Sequence, residues 1–318
     1  MTEVVRTRRE SLRSFISAPT VSAFIAGGCA GAVSRTVVSP LERMKIIFQV
    51  QHVGADQAAY RGTRATLVKM WQEEGWRGFL RGNGTNCIRI IPYSAVQFSS
   101  YTFYKQFLLG PGEKDLDVFR RLTAGACAGV TSVTATYPLD LVRTRLSIQS
   151  AFLSPSARTS PSIASAGLWK TVLLVYKTEG GAAALYRGIV PTVMGVAPYV
   201  GLNFAVYESL RKAMTPPGDV APGTLGKLGC GAMSGAVAQS ITYPFDVLRR
   251  RFQINTMSGL GYHYNSIWHA MSSIYVKEGI RGYYKGLWPN LLKVAPSMAS
   301  SWLSYEWIKE SLSGASSF

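Results

Sequence analysis

The sequence predicts an all-α membrane protein with six transmembrane helices, built from three repeats of about 100 residues. The composition is apolar for a soluble protein, since only 16% of the 318 residues are charged and the mean hydropathy is +0.11. Two sets of prolines also recur along the chain at matched intervals, each inside a repeated phrase. Two proline-containing helices in each of three repeats give the six helices.

The first set of prolines opens three copies of one charged pattern. The copies read "VVSPLERMKIIFQVQ", "ATYPLDLVRTRLSIQ" and "ITYPFDVLRRRFQIN", and their prolines are 98 and 106 residues apart. An acid follows each proline by two residues and a base follows it by five, so the two charges share one helix face. Because an interior proline bends a helix, Pro40, Pro138 and Pro244 predict helix kinks.

The second set of prolines defines another helix in each repeat. Pro92, Pro198 and Pro296 lie in "IRIIPYSAVQF", "MGVAPYVGLNF" and "LKVAPSMASSW". Small residues in the register GxxxG precede the first set, and this spacing predicts close approach of helix backbones in lipid. The three glycine pairs are Gly27 and Gly31, Gly125 and Gly129, and Gly231 and Gly235.

A third phrase lies between the two prolines of each repeat. It reads "EEGWRGFLRG", "TEGGAAALYRG" and "KEGIRGYYKG", and it predicts a short amphipathic surface helix followed by a glycine turn. We therefore place a basic N-terminal tail at 1–20 and the repeats at 21–112, 118–215 and 224–313. The two prolines of the middle repeat are eight residues further apart than those of the other repeats, and we place these extra residues in "AFLSPSARTSPSIASAG".

Polar residues interrupt most of the predicted transmembrane helices. Few of them contain 18 consecutive apolar residues, so hydropathy alone undercounts the helices. Proline and polar groups are tolerated at membrane depth where they face a water-filled cavity. The interruptions are therefore expected to line a central path.

The charge and the missing motifs narrow the class of function. A net charge of +17 indicates an anionic partner, which could be a nucleic acid, a lipid surface or a small molecule. The four cysteines and three histidines form no metal-ligating cluster, and the chain has no nucleophile elbow, dinucleotide fingerprint or P-loop. We expect no enzyme activity, cofactor or metal. Because the basic residues recur by repeat position, a nucleic-acid partner is not expected either.

Three copies of P-x-[DE]-x-x-[KR], each followed by the E-G…[KR]-G phrase, resemble the mitochondrial carrier family over roughly residues 20 to 312. The resemblance implies a three-fold pseudosymmetric bundle of six helices with short matrix-side surface helices. It also implies a multi-pass protein of the mitochondrial inner membrane, usually monomeric and in contact with anionic lipid such as cardiolipin. Such proteins exchange a small metabolite by alternating access; a proton-leak or purely structural member is the alternative within the same fold.

The same resemblance implies two gates. At the matrix side each acid pairs with a base on the next odd-numbered helix, braced by glutamines, with Ser147 in place of the middle brace. The matrix-gate residues are Glu42, Lys45, Gln49, Asp140, Arg143, Asp246, Arg249 and Gln253. The even-numbered helices carry the cytosolic gate, where Thr102 replaces the first acid, so that two links are expected. The cytosolic-gate residues are Lys105, Glu208, Arg211, Glu306 and Lys309.

Positions that break the repeat symmetry predict the substrate contacts. Three residues before the second-set prolines lie Arg89, Gly195 and Lys293, and the family implies that these bind substrate. A glycine lets a flat ring lie against backbone, while the two cations can bind phosphate or sulfate oxygens. Arg35, five residues before Pro40, is expected to be a third unpaired cation at membrane depth. The next residues, Ile90, Val196 and Val294, complete the expected set.

The expected substrate is an adenine-containing anion with at least two negative charges. Within the family, "RGNGTNCIRIIPYSAVQF" and "PTVMGVAPYVGLNFAVYE" are most similar to fungal carriers of adenosine 5′-phosphosulfate and 3′-phosphoadenosine 5′-phosphosulfate. Coenzyme A carriers and ATP-Mg/phosphate carriers share much of the pattern and stay open as alternatives. Similarity to strict ADP/ATP exchangers is weaker, because "RRRFQI" stands where their RRRMMM-like run would be.

Overall fold

The structure is a computed structural model that describes residues 19–51, 62–110, 116–152, 168–214, 224–255 and 264–314. Of the expected basic tail, residues 1–18 lie outside the described residues, and the first helix already begins at Pro19. The Ser/Pro/Ala-rich segment of the middle repeat lies outside them from residue 153 onward.

Within the described residues every element is a helix. Among these residues, six long helices form the bundle. Counted in chain order among these six, the first, third and fifth, called the odd-numbered helices, are α1 (Pro19–Val50), α4 (Val118–Phe152) and α8 (Thr224–Gln253). The even-numbered ones are α3 (Asn83–Leu108), α7 (Ile189–Met214) and the pair α10 (Leu287–Leu292) and α11 (Val294–Gly314). Short helices lie between them: α2 (Thr63–Phe79), α5 (Leu168–Thr178), α6 (Ala182–Leu185) and α9 (Ile267–Gly282).

The long helices pack as a closed ring. The most extensive contacts join each even-numbered helix to the odd-numbered helix of the next repeat, α3 to α4 and α7 to α8. The third such contact joins α11 to α1, so the two ends of the chain meet. A helix at the end of one repeat thus completes its packing only against the next repeat, and the bundle closes with three-repeat symmetry.

Five of the six repeated prolines lie inside continuous helices, including Pro92 and Pro198, and a helix is interrupted near the sixth, Pro296. α1, α4 and α8 run continuously through Pro40, Pro138 and Pro244, and their predicted bends stay a prediction. The last helix is interrupted at Lys293, three residues before Pro296. Proline has no backbone N–H to donate to the carbonyl four residues earlier, which weakens the helix at this point.

The expected close approach at the GxxxG glycines is wrong at most positions. A Cβ atom built on Gly27, Gly125, Gly231 or Gly235 would have no atom within 4 Å. At the remaining two glycines, the Cβ would contact a side chain of the next long helix: Ile90 at 3.6 Å from Gly31, and Val196 at 3.4 Å from Gly129. Several of these glycines line cavities, so the absent side chains make room there and do not bring two backbones together.

The short helices turn at the glycines that the sequence predicts. Gly75 in α2 and Gly279 in α9 have φ of +63° and +64°, a conformation that favours glycine. Each of the two follows the glutamate of its E-G phrase, so the surface helix and the turn are confirmed in the first and third repeats. In the middle repeat the corresponding glycines separate α5 from α6.

Apolar side chains remain exposed along the bundle. On α3, Phe98, Phe103 and Phe107 are 73%, 63% and 79% exposed. Exposed apolar surface of this kind is unfavourable in water and favourable in lipid. Among the described residues, one stretch, Ala182–Met214, has the length and composition of a membrane span. This result agrees with the expectation that hydropathy alone undercounts the helices.

Candidate functional site

The three charged patterns meet at one end of the bundle, and their charges pair between the odd-numbered helices. Lys45 Nζ on α1 lies 3.0 Å from Asp246 Oδ2 on α8. Arg249 Nη2 on α8 lies 2.6 Å from Asp140 Oδ2 on α4. Arg143 on α4 contacts Glu42 on α1, so that three ion pairs connect α1, α4 and α8 in a ring of charges, called the ring below. The structure thus brings together the six predicted matrix-gate charges, and their role as a gate stays a prediction.

The two glutamines behave differently. Gln253 Nε2 donates to Asp140 Oδ2 at 2.8 Å, so this side chain contacts an ion pair of the ring directly. Gln49 Nε2 donates to the hydroxyl of Tyr243 at 3.1 Å. Ser147, at the equivalent position of the middle repeat, donates to the carbonyl of Arg143 in its own helix at 2.8 Å. The ring therefore has a direct glutamine contact at Asp140.

Arg250 is a further cation of the same ring and was not among the residues that the sequence predicted for it. Its Nη1 lies 3.1 Å from Asp140 Oδ2 and 2.8 Å from the side-chain oxygen of Gln253. The equivalent residues of the other repeats are Ile46 and Thr144. This asymmetry is visible in the sequence, but which way a helical side chain points inside the bundle is not.

Three further arginines that the sequence did not predict connect the short helices to the odd-numbered helices. Arg43, Arg145 and Arg251 donate through Nε to the carbonyls of Ser147, Gln253 and Gln49, at 2.9, 3.2 and 3.2 Å. Each acceptor belongs to the odd-numbered helix of another repeat. The same arginines pair with the glutamates of the E-G phrases, Glu74, Glu179 and Glu278.

The expectation that Arg35, Arg89 and Lys293 are unpaired is wrong. Arg35 Nη1 lies 3.3 Å from Glu42 Oε1, and Lys293 Nζ lies 3.2 Å from the same oxygen. Arg89 Nη1 lies 3.5 Å from Asp140 Oδ1. At membrane depth a cation without a partner is costly, and the nearest carboxylates are those of the ring. The predicted substrate cations and the predicted gate therefore form one network.

A cavity of about 380 Å³ opens directly onto this network. Seven basic and three acidic side chains line it, so the basic residues exceed the acidic ones by four. Among the described residues, Asn86 Oδ1 and Arg249 Nε of this cavity are buried polar atoms without a hydrogen-bond partner. The basic residues are Arg35, Lys45, Arg89, Arg143, Arg249, Arg250 and Lys293, and the acids are Glu42, Asp140 and Asp246.

A second, less charged cavity of about 290 Å³ adjoins the first and shares Tyr93, Val133, Asp246 and Arg249 with it. Gly195 and Val196 line this second cavity, whereas Ile90 lines the first. Val294 lines neither of them; it lies in a larger apolar cavity of about 1400 Å³, between α1, α8 and the last helix. The predicted substrate residues are thus divided among three adjoining cavities.

Comparison with known proteins identifies the family. The model of the family described as "mitochondrial carrier protein" matches residues 17–112, 114–217 and 221–316. The chain belongs to the mitochondrial carrier family. It is 50% identical to an uncharacterized mitochondrial carrier of Saccharomyces cerevisiae, over 95% of each chain. It is 41% identical to the mitochondrial adenine nucleotide transporter ADNT1 of Arabidopsis thaliana, over 95% of this chain and 92% of that one. The mitochondrial carrier protein CoAc1 of Zea mays is 38% identical, over 90% and 85%.

Family membership confirms the predicted fold and location. The protein is an all-α carrier of three repeats, and its relatives are mitochondrial carriers, multi-pass proteins of the inner membrane. The members of the family are transporters.

Three of the predicted cytosolic-gate residues, Glu208, Glu306 and Lys309, make contacts within their own helices. Glu208 is 3.9 Å from Lys212, and Glu306 accepts a hydrogen bond from the indole of Trp302. Lys309 lies over the ring of Tyr305, with Nζ 5.9 Å from its centre. These contacts lie within α7 and α11, whereas the charges that follow Pro40, Pro138 and Pro244 pair between different helices.

Outside the membrane-spanning helices, Glu278 on α9 is a buried carboxyl with two basic neighbours. Burial raises the pKa of this carboxyl, but hydrogen bonds from Arg251 and Lys285, each 2.7 Å from Oε2, outweigh it. The net result is a Glu278 pKa below its usual value. Glu278 is therefore ionised when the carrier is folded at neutral pH.

Proposed function

We propose that this carrier exchanges an adenine-containing anion across the inner membrane, most specifically adenosine 5′-phosphosulfate and 3′-phosphoadenosine 5′-phosphosulfate. The observation that supports this proposal is the excess of four basic side chains in a cavity that adjoins the pocket of Gly195. An excess of positive charge in a confined site favours a polyanion, because isolated buried charges are costly. Guanidinium groups can bind phosphate or sulfate oxygens in pairs.

The network also couples substrate binding to the predicted gate. Arg35 and Lys293 share Glu42, and Arg89 contacts Asp140, so an anion in the cavity competes with these carboxylates for their cations. Binding of substrate would then weaken the closed ring, and a conformation in which the ring is open would bind the substrate more tightly. Such a difference in affinity is what allows a ligand to shift a conformational equilibrium.

The relatives are consistent with an adenine-containing substrate, since one of them is named an adenine nucleotide transporter. The second candidate is coenzyme A or the exchange of ATP-Mg for phosphate. The four excess cations suit coenzyme A, whose three phosphate groups neutralise the site more completely than a dianion does, whereas Mg²⁺ cancels part of the charge of ATP. Both candidates use the same cavity and differ in the anion that it accepts.

Exchange in liposomes tests the proposal. The purified carrier would be reconstituted into five sets of vesicles, each loaded with one of adenosine 5′-phosphosulfate, 3′-phosphoadenosine 5′-phosphosulfate, ATP, ADP and coenzyme A. Uptake of the same compound in labelled form would be measured for each set. We expect saturable uptake of at least one phosphosulfate that depends on internal substrate. Uptake of none of the five contradicts an adenine-anion carrier. Fast exchange of coenzyme A or ATP alone supports the second candidate, and proton flux without any exchange supports a leak protein.

A further inference from the structure

Phe245 lies on α8 between Pro244 and Asp246. The other two repeats have Leu41 and Leu139 at this position, so an aromatic residue occurs here in the third repeat alone. Helix packing common to all three repeats does not require that difference. The aromatic ring is therefore a candidate for a role in the asymmetric part of the molecule.

Phe245 packs against the glycine that the sequence assigns to substrate contact. A Cβ atom on Gly195 would lie 3.1 Å from Phe245 Cβ and 3.7 Å from its Cγ. Arg89 and Lys293, the equivalents of Gly195, have side chains that would collide with an aromatic ring in this place. The glycine on α7 and the phenylalanine on α8 are thus complementary departures from the repeat, and both line the 290 Å³ cavity.

The surroundings of Phe245 suit a flat heterocycle. Tyr93 and Tyr199 line the same cavity from α3 and α7, so the site has aromatic and apolar walls. Arg249 lies at the junction with the cationic cavity, and its buried Nε has no hydrogen-bond partner among the described residues. A ligand with an aromatic ring in this cavity could extend its charged groups directly into the cationic one.

We propose that Phe245, which fills the space beside Gly195, determines specificity by stacking the cavity-facing side of its ring on the purine of the transported anion. This inference rests on the proposed function, because it assigns the ring of an adenine-containing substrate to one cavity and its phosphate or sulfate groups to the other. Stacking of a base on an aromatic side chain is tolerant of ring substituents and adds affinity without charge.

The first test compares a ligand that has the ring with one that lacks it. Phe245→Leu installs the residue of the other two repeats, and it should weaken binding of ADP about 5- to 150-fold, the range for loss of one base–aromatic contact. Inhibition of uptake by ribose 5-phosphate, which has no base, should be unchanged. Phe245→Trp should retain ADP binding, and Leu139→Met, the matched control in the middle repeat, should leave both ligands unaffected.

Two results would overturn the assignment. They are unchanged ADP binding in the Phe245→Leu variant, and an equal loss for ADP and ribose 5-phosphate, which would make Phe245 a structural residue. If the unmodified carrier itself binds ribose 5-phosphate as well as ADP, the proposed adenine-anion function fails, and that result is separate from the behaviour of the variants.

A measurement on the unmodified carrier covers the case in which variants misfold. Photolysis with 8-azidoadenosine 5′-diphosphate in liposomes should label the peptide containing Phe245, and excess ADP should protect that peptide. Protected labelling confined to peptides that line neither cavity would contradict this assignment.

Discussion

Lys293 and Glu42 contact each other across the junction between the last helix and the first, with Nζ 3.2 Å from Oε1. Glu42 also contacts Arg143 and Arg35, and its side chain is only 8% exposed. Asp246, the equivalent acid of the third repeat, has Lys45 as its cation in the ring, and its side chain is 33% exposed. Glu42 and Asp246 are therefore unequal in burial and in the number of cations that they contact.

This inequality predicts a ranking of two isosteric substitutions. Glu42→Gln leaves three cations without their carboxylate in a buried site, so we expect it to lower the free energy of unfolding by about 3–5 kcal/mol. Asp246→Asn affects a single, more exposed pair and should cost about 1 kcal/mol or less. Thermal unfolding of the two variants in the same detergent measures the difference. Equal losses, or a larger loss in the Asp246 variant, would contradict the asymmetric network.

The predicted substrate cations can be tested separately from stability. Lys293→Ala should weaken ADP binding at least about 10-fold, since hydrogen bonds to charged groups contribute about 1.5–3 kcal/mol. Glu42 keeps Arg143 and Arg35 in that variant, so the unliganded protein should remain folded. Thermal stabilisation by ADP gives the affinity. Lys69→Ala, which removes a surface cation of α2 that pairs with Glu73, is the control and should bind ADP normally.

The two outcomes of the Lys293 experiment lead to different conclusions. Normal ADP binding by the Lys293→Ala variant would mean that this lysine serves the ring alone. Weaker ADP binding by the variant would support an ionic contact if raised salt also weakens ADP binding by the unmodified carrier, because salt weakens interactions of accessible charges.

Some features of the site follow from patterns that recur in the sequence, whereas others depend on how the helices pack against each other. The charged pattern after Pro40 recurs after Pro138 and Pro244, so the sequence predicts the repeats, the surface helices and the six charges of the ring. That Lys293 reaches Glu42 depends on the distance between the last helix and the first, which no single repeat specifies. A lysine can extend its ammonium group to a distant carboxylate, so its partner is decided by tertiary packing.

The errors have a related physical cause. GxxxG spacing predicts a helix surface of small residues, and such a surface can face either another helix or a cavity. At Gly27 and Gly125 the space is a cavity, whereas at Gly31 and Gly129 a side chain of the next helix fills it. Phe245 and Arg250 were missed because their asymmetry appears in the sequence without any indication of the direction in which they point.

The start of α7 depends on a glycine that no other residue can replace without strain. Gly188 has φ of +86°, and a Cβ there would lie 2.8 Å from the hydroxyl of Tyr137 and 2.9 Å from the carbonyl of Arg249. Gly188→Ala should therefore lower the free energy of unfolding by about 2 kcal/mol or more. Thermal unfolding measures the effect.

Gly201, further along α7, is the matched control for Gly188. It is helical and would have nothing within 4 Å of its Cβ, so Gly201→Ala should stabilise the protein by up to about 1 kcal/mol. A neutral effect of Gly188→Ala would show that α7 can shift away from α4 and α8 without cost, contrary to the contacts at this turn.

Glu278 gives the stability of the carrier a defined pH dependence. Its folded-state pKa is below the ordinary value of about 4.3, so the ion pairs with Arg251 and Lys285 stabilise the protein above that pH. This stability is lost as the pH falls through the lower, folded-state pKa. Glu278→Gln leaves the buried Arg251 without its carboxylate and should cost about 3–5 kcal/mol at pH 7.

The melting temperatures of the unmodified protein and the Glu278→Gln variant should therefore differ most between pH 5 and 7. The difference should shrink as the pH falls below about 4.3, because the carboxyl is then protonated more readily in the unfolded chain than in the folded one. Glu73→Gln, at a half-exposed position on α2, is the control and should differ little from the unmodified protein at any pH, because exposed pairs contribute about 0–1 kcal/mol. A difference for Glu278→Gln that stays constant down to pH 3 would show that its effect comes from packing and not from the charge of Glu278.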